Sequence, residues 1–113
     1  MKNIILFSLT LMLYSLLNAQ YSTTPEARAK AMVGQLHLAI NLQGQEWTIA
    51  NNAFTDYYKE LEELNKNPLK DKNGNELKIK ALQSKLYEKL SSALRPERMR
   101  VWTAYKVKEK ILE

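Results

Sequence analysis

The sequence has 113 residues, a formal net charge of +5 and no cysteine. This length suits one domain, and the lack of cysteine excludes disulfide bonds, thiolate nucleophiles and cysteine-ligated metal sites. With only three glycines and three prolines, the composition is also unlike that of disordered or fibrous chains.

The first twenty residues have the pattern of a secretory signal peptide. Lys2 gives a positive start, an apolar run covers residues 4–17, and Ala19 lies where a signal peptidase would cut. An uncleaved membrane anchor is the alternative, but the run is short for a span and no basic cluster follows it. We predict a signal peptide over residues 1–19 and a single helical domain over residues 20–113, periplasmic or secreted.

Thr24, Pro25 and Glu26 are typical of a helix start, with a threonine N-cap, proline at the first position and an acid in the first turn. The predicted helix runs to about Asn41. Its larger apolar side chains are Met32, Val33, Leu36, Ala39 and Ile40. A second stripe consists of Ala27, Ala31, Gly34 and Leu38. The glycine in this stripe predicts close packing against another helix.

The most amphipathic segment begins near Glu46 and ends near Asn65, after a turn at Gly44. Its apolar residues recur at steps of three and four, which predicts a helix with one buried face. These residues are Trp47, Ala50, Phe54, Tyr57, Leu61 and Leu64. Because such a helix cannot bury its apolar stripe alone, the other helices must pack against it.

Residues 65–75 contain Pro68 and Asn73-Gly74, which predict a loop. Two structures are compatible with residues 68–80. Asn-Gly favours a two-residue β-hairpin turn, whereas the alternative is a plain loop followed by a third helix from Asn75. The flanking residues are rich in lysine and poor in β-branched side chains, which favours the loop.

The third predicted helix ends before Pro96, because the residue preceding proline avoids the helical region. Its apolar face consists of Ile79, Leu82, Leu86, Leu90 and Ala93. Pro96 and Glu97 then open a fourth helix, whose apolar residues are Val101, Trp102, Tyr105 and Leu112. We therefore predict an all-α fold of four helices in a small, elongated, antiparallel arrangement.

Charge is distributed unevenly along the chain. Residues 43–64 contain five acidic residues and one basic residue, a net charge of −4. Residues 66–110 contain thirteen basic and five acidic residues, a net charge of +8. Antiparallel packing of the basic third helix against the acidic second one is electrostatically favourable. Solvated lysine faces explain most of the excess, and a binding role for it is the alternative.

No pattern of residues predicts a catalytic or metal site. His37 is the single histidine, and Ser91 and Ser92 have no nucleophile-elbow context. Asp71, Asn73 and Asn75 alternate as in a calcium loop, but the sixth and twelfth positions lack the required glycine and glutamate. There is no glycine-rich phosphate loop. We expect no enzymatic activity and no cofactor, and export argues against nucleic acid as a partner.

Two segments resemble the motifs of the Spy/CpxP family of periplasmic proteins, in which Leu-Thr-x-x-Gln opens two helices. They are Leu42-Gln43-Gly44-Gln45-Glu46 and Leu94-Arg95-Pro96-Glu97-Arg98. Both leucines are kept. Gln43 and Arg95 replace the threonines, and Glu46 and Arg98 replace the glutamines. The missing threonines remove a good N-cap from each helix.

Members of that family are small, all-helical exported proteins that form cradle-shaped dimers. They act as ATP-independent chaperones or as modulators of envelope and metal stress. The resemblance implies a concave surface that binds unfolding polypeptides through basic and apolar contacts. The residues expected to contact such clients are Lys85, Lys89, Arg95, Arg98 and Arg100. A structural role is expected for the motif residues Leu42, Gln43, Glu46, Leu94, Pro96 and Glu97.

We therefore expect an exported ATP-independent chaperone or envelope-stress binding protein of the Spy/CpxP type. The alternative is a small helical regulatory or structural partner of one specific envelope protein. The expected partners are unfolded or partly folded envelope proteins, a second copy of the chain, and weakly an anionic membrane surface. Most of the large aromatic residues, Trp47, Phe54, Trp102 and Tyr105, are expected in the core.

Overall fold

The computed structural model describes residues 24–111, so the predicted signal peptide lies outside the described residues. Within this range the chain forms four helices and no strand: α1 (Pro25–Ile40), α2 (Gln45–Lys66), α3 (Lys72–Ala93) and α4 (Pro96–Glu109). The predicted all-α fold of four helices is confirmed. None of these helices combines the length and the apolar character needed to cross a bilayer.

The first helix begins and ends through the local interactions that its sequence predicts. The Thr24 hydroxyl accepts a hydrogen bond of 3.1 Å from the Ala27 N–H group. At the other end, Asn41 adopts a left-handed conformation with φ of 56°. Its N–H group donates to the His37 carbonyl at 2.8 Å, which closes the last turn.

Successive helices run antiparallel. Lys59 in the second half of α2 pairs with Glu26 at the start of α1, with 3.6 Å between Nζ and Oε1. The start of α2 lies beside the end of α1, where the His37 and Trp47 ring centroids are 4.5 Å apart. The short loops thus join neighbours in an elongated arrangement, in which 22-residue helices such as α2 are about 33 Å long.

The fourth helix returns along α1. At its start, Arg98 donates a hydrogen bond to the Ile40 carbonyl at the end of α1. Further along, the Tyr105 hydroxyl lies 3.1 Å from the Gln35 side-chain oxygen. Since α4 is tied to α1 in this way, it diverges from α3, to which it is joined by Leu94 and Arg95.

One hydrophobic cluster draws residues from all four helices. The predicted stripe of α2 supplies Ala50, Phe54 and Tyr57, and Leu61 packs against the cluster. The largest fully buried side chains are Trp102, Phe54, Leu36, Leu90 and Met99. Burial of this apolar surface is the main stabilising contribution to the fold.

Two packing predictions for α1 and α2 are wrong. Trp47 was expected in the buried stripe, but 40% of it is exposed, because it lies in the first turn of α2 beside the loop. Gly34 was expected at a close helix contact, but it is exposed and a Cβ atom built there meets nothing within 4 Å. Core packing of α1 uses Ala29, Val33 and Leu36 instead.

The connection between α2 and α3 is a plain loop, the structure that the sequence favours over a β-hairpin. The loop ends earlier than predicted, because α3 begins at Lys72 and not at Asn75. Asp71 is the N-cap of α3, and its side chain accepts a hydrogen bond of 3.1 Å from the Asn73 N–H group. The Asn75 side-chain amide bonds both the N–H (2.8 Å) and the carbonyl (3.2 Å) of Leu69. These bonds place Asn73-Gly74 in the first helical turn, where no hairpin forms.

Candidate functional site

The two motif-like segments, which are distant in the sequence, meet where α1 ends and where α2 and α4 begin. Leu42 and Leu94, their first residues, are both buried in the core. Glu46 and Arg98, their last residues, form an ion pair between Arg98 Nη1 and Glu46 Oε2. We call these four residues the motif junction.

Arg98 also binds the end of α1. Its Nη2 atom donates to the carbonyl oxygens of Ile40 at 3.0 Å and Asn41 at 3.2 Å. Carbonyls at a helix C-terminus lack donors within the helix and carry partial negative charge, so a guanidinium group stabilises them. Arg98, which the resemblance assigns to client contact, is therefore engaged within the chain.

The helix starts at the motif junction have the weak capping that the missing threonines predict. Gly44 and Arg95 are the N-caps of α2 and α4, and neither makes a side-chain cap hydrogen bond. Glu46 keeps half of a capping box, since its Oε1 accepts from the Gln43 N–H group at 2.8 Å. The Arg98 hydrogen bond and then the Gln43 one lower the pKa of Glu46, while desolvation opposes them.

The expected structural residues of the second segment lie at the start of α4. Pro96 is in its first turn with Glu97, where the carboxylate is favourable near the positive end of the helix dipole. Both side chains are exposed. They contribute to the start of α4 rather than to the core.

Lys85 and Lys89, also assigned to client contact, pair with α2. The Lys85 ammonium lies 3.6 Å from Glu60, and the Lys89 ammonium lies 3.1 Å from Asp56. The predicted electrostatic match between the acidic α2 and the basic α3 is therefore found in the structure. Since both pairs are partly exposed, each adds only a modest amount to stability.

Arg95 and Arg100 differ from the other three predicted contacts. Both are exposed near the start of α4, and within residues 24–111 neither makes an ion pair. They are accessible to a partner, but they stand on the exposed surface and not in a groove.

His37 and Trp47 stabilise the turn between α1 and α2. The Leu42 N–H group donates to His37 Nδ1 at 3.0 Å, and the Leu42 carbonyl accepts from Trp47 Nε1 at 3.1 Å. The histidine thus has a structural contact and is half-buried. Among the described residues, no group of three or more histidine, cysteine or carboxylate side chains is placed to hold a metal ion.

A wide groove opens where α4 diverges from α3. Its volume is about 980 Å³. We call it the α3–α4 groove, and the residues that line it are Lys80, Gln83, Ser84, Tyr87, Thr103, Lys106, Val107, Lys110 and Ile111. Tyr87 and Val107 are unusually exposed for apolar side chains, at 51% and 75%. The groove is therefore both apolar and accessible.

The charge of the α3–α4 groove has one sign. Its described lining contains three lysines and no carboxylate. Lys106 lies over the Trp102 ring, 5.5 Å from the centroid, whereas Lys80 and Lys110 make no ion pair within the described chain. The groove is therefore suited to binding acidic and apolar groups.

The groove lysines are absent from the residues predicted from the sequence, although a signal was present. Lining residues of α3 fall at 80, 83, 84 and 87, and those of α4 fall at 103, 106 and 107, the spacing of a single helix face, while Lys110 and Ile111 follow the end of α4. Exposed Tyr87 and Val107 interrupt these otherwise polar faces. The sequence does not show that α3 and α4 diverge, and it is this divergence that combines the two faces into one groove.

Comparisons with known proteins add no information about the role of the α3–α4 groove. No protein-family model, no curated protein and no solved structure matches the chain.

Proposed function

We propose that this protein is an exported ATP-independent chaperone or envelope-stress binding protein of the Spy/CpxP type, which binds non-native polypeptides. The observation that carries the proposal is the α3–α4 groove, with its exposed apolar side chains and lysines. Segments exposed by unfolding present apolar side chains that a folded protein buries, so they match this surface.

The two kinds of contact have different roles. The basic residues of α3 and α4 attract acidic clients over a distance of about one Debye length, which speeds capture. Tyr87 and Val107 then hold apolar segments by excluding water. Binding of this kind needs no nucleotide, because release follows when the client folds and buries the segment.

A cradle-shaped homodimer and weak contact with anionic lipid headgroups belong to the same proposal. Dimerisation is supported by a second exposed apolar area, which lies on α1 and α2. This area contains Leu38, which is 71% exposed, and Trp47. A groove of about 470 Å³ lies beside it, next to Gly34.

A dedicated partner of one envelope protein is the second candidate. It is favoured by the internal pairing of Lys85, Lys89 and Arg98, which leaves less free charge for diffuse binding of many clients. A site of defined shape suits one recognised segment better than many unrelated ones.

Light scattering of two unrelated aggregating clients tests the proposal. The purified protein, without ATP, is added at ratios up to equimolar in low and high salt. A general chaperone suppresses the aggregation of both clients, and added salt weakens the effect because it screens the lysines. Suppression of neither client would overturn the proposal and favour the dedicated partner.

A further inference from the structure

The packing of α2 on α3 provides an internal example of how this chain binds an acidic helix. Leu82, Leu86 and Leu90 form the buried stripe of α3. Beside this stripe, lysines of α3 pair with carboxylates of α2 at 3.1 and 3.6 Å. An apolar stripe flanked by lysine–carboxylate pairs therefore holds the two helices together.

The α3–α4 groove presents the same combination on another face of α3. Its apolar residues are Tyr87, Val107 and Ile111, and they are flanked by Lys80 and Lys110. Because the described lining contains no acid, a bound helix would have to supply the carboxylates. The chemistry that fits this surface is an apolar stripe with glutamate or aspartate on both sides.

The α3–α4 groove is also long enough for a short helix. Its lining residues on α3 extend from Lys80 to Tyr87, which is about 10 Å along a helix axis. Two turns of a client helix are about 11 Å long, which matches this length.

We propose that the α3–α4 groove recognises an acidic amphipathic helix of a client polypeptide, which packs as a third helix between α3 and α4. This inference rests on the proposed function, because it names the part of the client that the groove binds. A helix-in-groove contact of this kind orders about two turns of the client.

Fluorescence anisotropy with labelled 18-residue peptides tests this inference. The first peptide places leucines at helical spacing between glutamates. The second has the same sequence except that two central alanines are replaced by prolines, so that it cannot form the helix. The third carries lysine in place of glutamate. We expect the first peptide to bind at least tenfold more tightly than either of the others, with an increase in helical circular dichroism on binding.

Paired lysine variants locate the binding site. The groove variant is Lys80→Gln with Lys110→Gln, and the control is Lys78→Gln with Lys108→Gln. Each pair combines a lysine of α3 with a lysine at the end of α4 and removes the same charge, but Lys78 and Lys108 are exposed outside the groove. Loss of two carboxylate pairs weakens binding of the first peptide about tenfold, while the control stays within about twofold.

Equal weakening in both variants would overturn the inference, since only diffuse charge would then matter. Equal binding of the proline peptide would also overturn it, because an extended segment would then suffice. If the first peptide fails to bind while aggregation is suppressed, this inference is wrong and the chaperone proposal stands. If it binds in the groove while neither client is protected, the helix site stands and the general chaperone is wrong.

Discussion

Glu46 and Arg98 connect three helix ends through a few polar atoms. They occupy equivalent positions in the two motif-like segments, and they carry opposite charges where the resembled motif has glutamine twice. Their side chains are 21% and 26% exposed, so water screens the pair less than it screens a surface pair. With the carbonyls of Ile40 and Asn41 on the same guanidinium, Arg98 satisfies several groups that would otherwise be under-bonded.

Replacement of Arg98 by alanine is therefore expected to destabilise the protein. The Glu46 carboxylate and two helix-end carbonyls lose their donor, so the free energy of unfolding should fall by about 1.5 to 2 kcal/mol in urea denaturation. Arg100→Ala is the matched control, because Arg100 is exposed and unpaired within residues 24–111, and its effect should stay below about 0.5 kcal/mol. Equal effects would show that the pairing of Arg98 contributes nothing.

The same pair makes stability depend on pH. The pKa of Glu46 is lowered from its ordinary value of 4.5 in the folded chain. Its contribution is therefore fully present above pH 4.5 and is lost as the pH falls through the lower folded-state value. The stability difference between wild type and Glu46→Gln should narrow between pH 6 and pH 3. A difference that is the same at both pH values would contradict this assignment.

At the scale of the element, side chains next to the helix ends decide where helices begin. Asp71 caps α3, and Asn75 holds Leu69 through two hydrogen bonds. In contrast, α4 begins at Pro96, and its N-cap Arg95 makes no side-chain cap hydrogen bond. The start of α3 is thus held by side-chain hydrogen bonds, whereas the start of α4 depends on Pro96 together with packing in the core.

Asp71→Ala tests the local definition of α3. Loss of the N-cap should lower the free energy of unfolding by about 1 kcal/mol and should increase hydrogen exchange in the first turn of α3. Glu76→Ala removes an exposed carboxylate from the same helix and should change stability by less than about 0.5 kcal/mol. An Asp71 variant as stable as the Glu76 variant would mean that packing alone places this helix start.

At the scale of the whole molecule, α4 packs more extensively against α1 than against α3, and its largest buried residue is Trp102. Its side chain is 1% exposed, and Tyr105, one turn further, reaches Gln35 in α1. Because the apolar face of α4 turns toward α1, its face with Thr103 and Val107 is left beside α3 without close packing. The α3–α4 groove is therefore a consequence of the packing of α4 against α1.

Substitutions of Trp102 separate two contributions of its side chain to the free energy of unfolding, namely packing and hydrogen bonding. The Trp102 Nε1 atom is buried and has no hydrogen-bond partner within the described chain. Trp102→Phe should therefore cost only about 1 kcal/mol, whereas Trp102→Ala should cost about 3 to 5 kcal/mol through the cavity that it leaves. Urea unfolding followed by far-ultraviolet circular dichroism measures both. Nearly equal losses would show that the indole N–H is essential.

Local patterns in the sequence predict the helices and most of the core of this protein. Thr24-Pro25 and Arg95-Pro96 mark two helix starts, and the spacing of Phe54, Leu82 and Leu86 identifies core faces. These features follow from backbone geometry and helical periodicity, which act over a few residues. The predicted start of α3 at Asn75 is three residues too late, and the reason is also local. Hydrogen bonds from the side chains of Asp71 and Asn75 outweigh the turn preference of Asn73-Gly74.

Contacts between distant residues decide the rest. The sequence shows that Lys85, Lys89 and Arg98 are basic, but only the packing of α2, α3 and α4 shows that each one faces a carboxylate. It also shows that Lys80 and Lys110 face one groove. A charge is a property of one residue, whereas its availability depends on which helix lies beside it. The sequence alone therefore determines the helices and the basic character of α3 and α4, and the tertiary structure decides which of those charges a partner reaches.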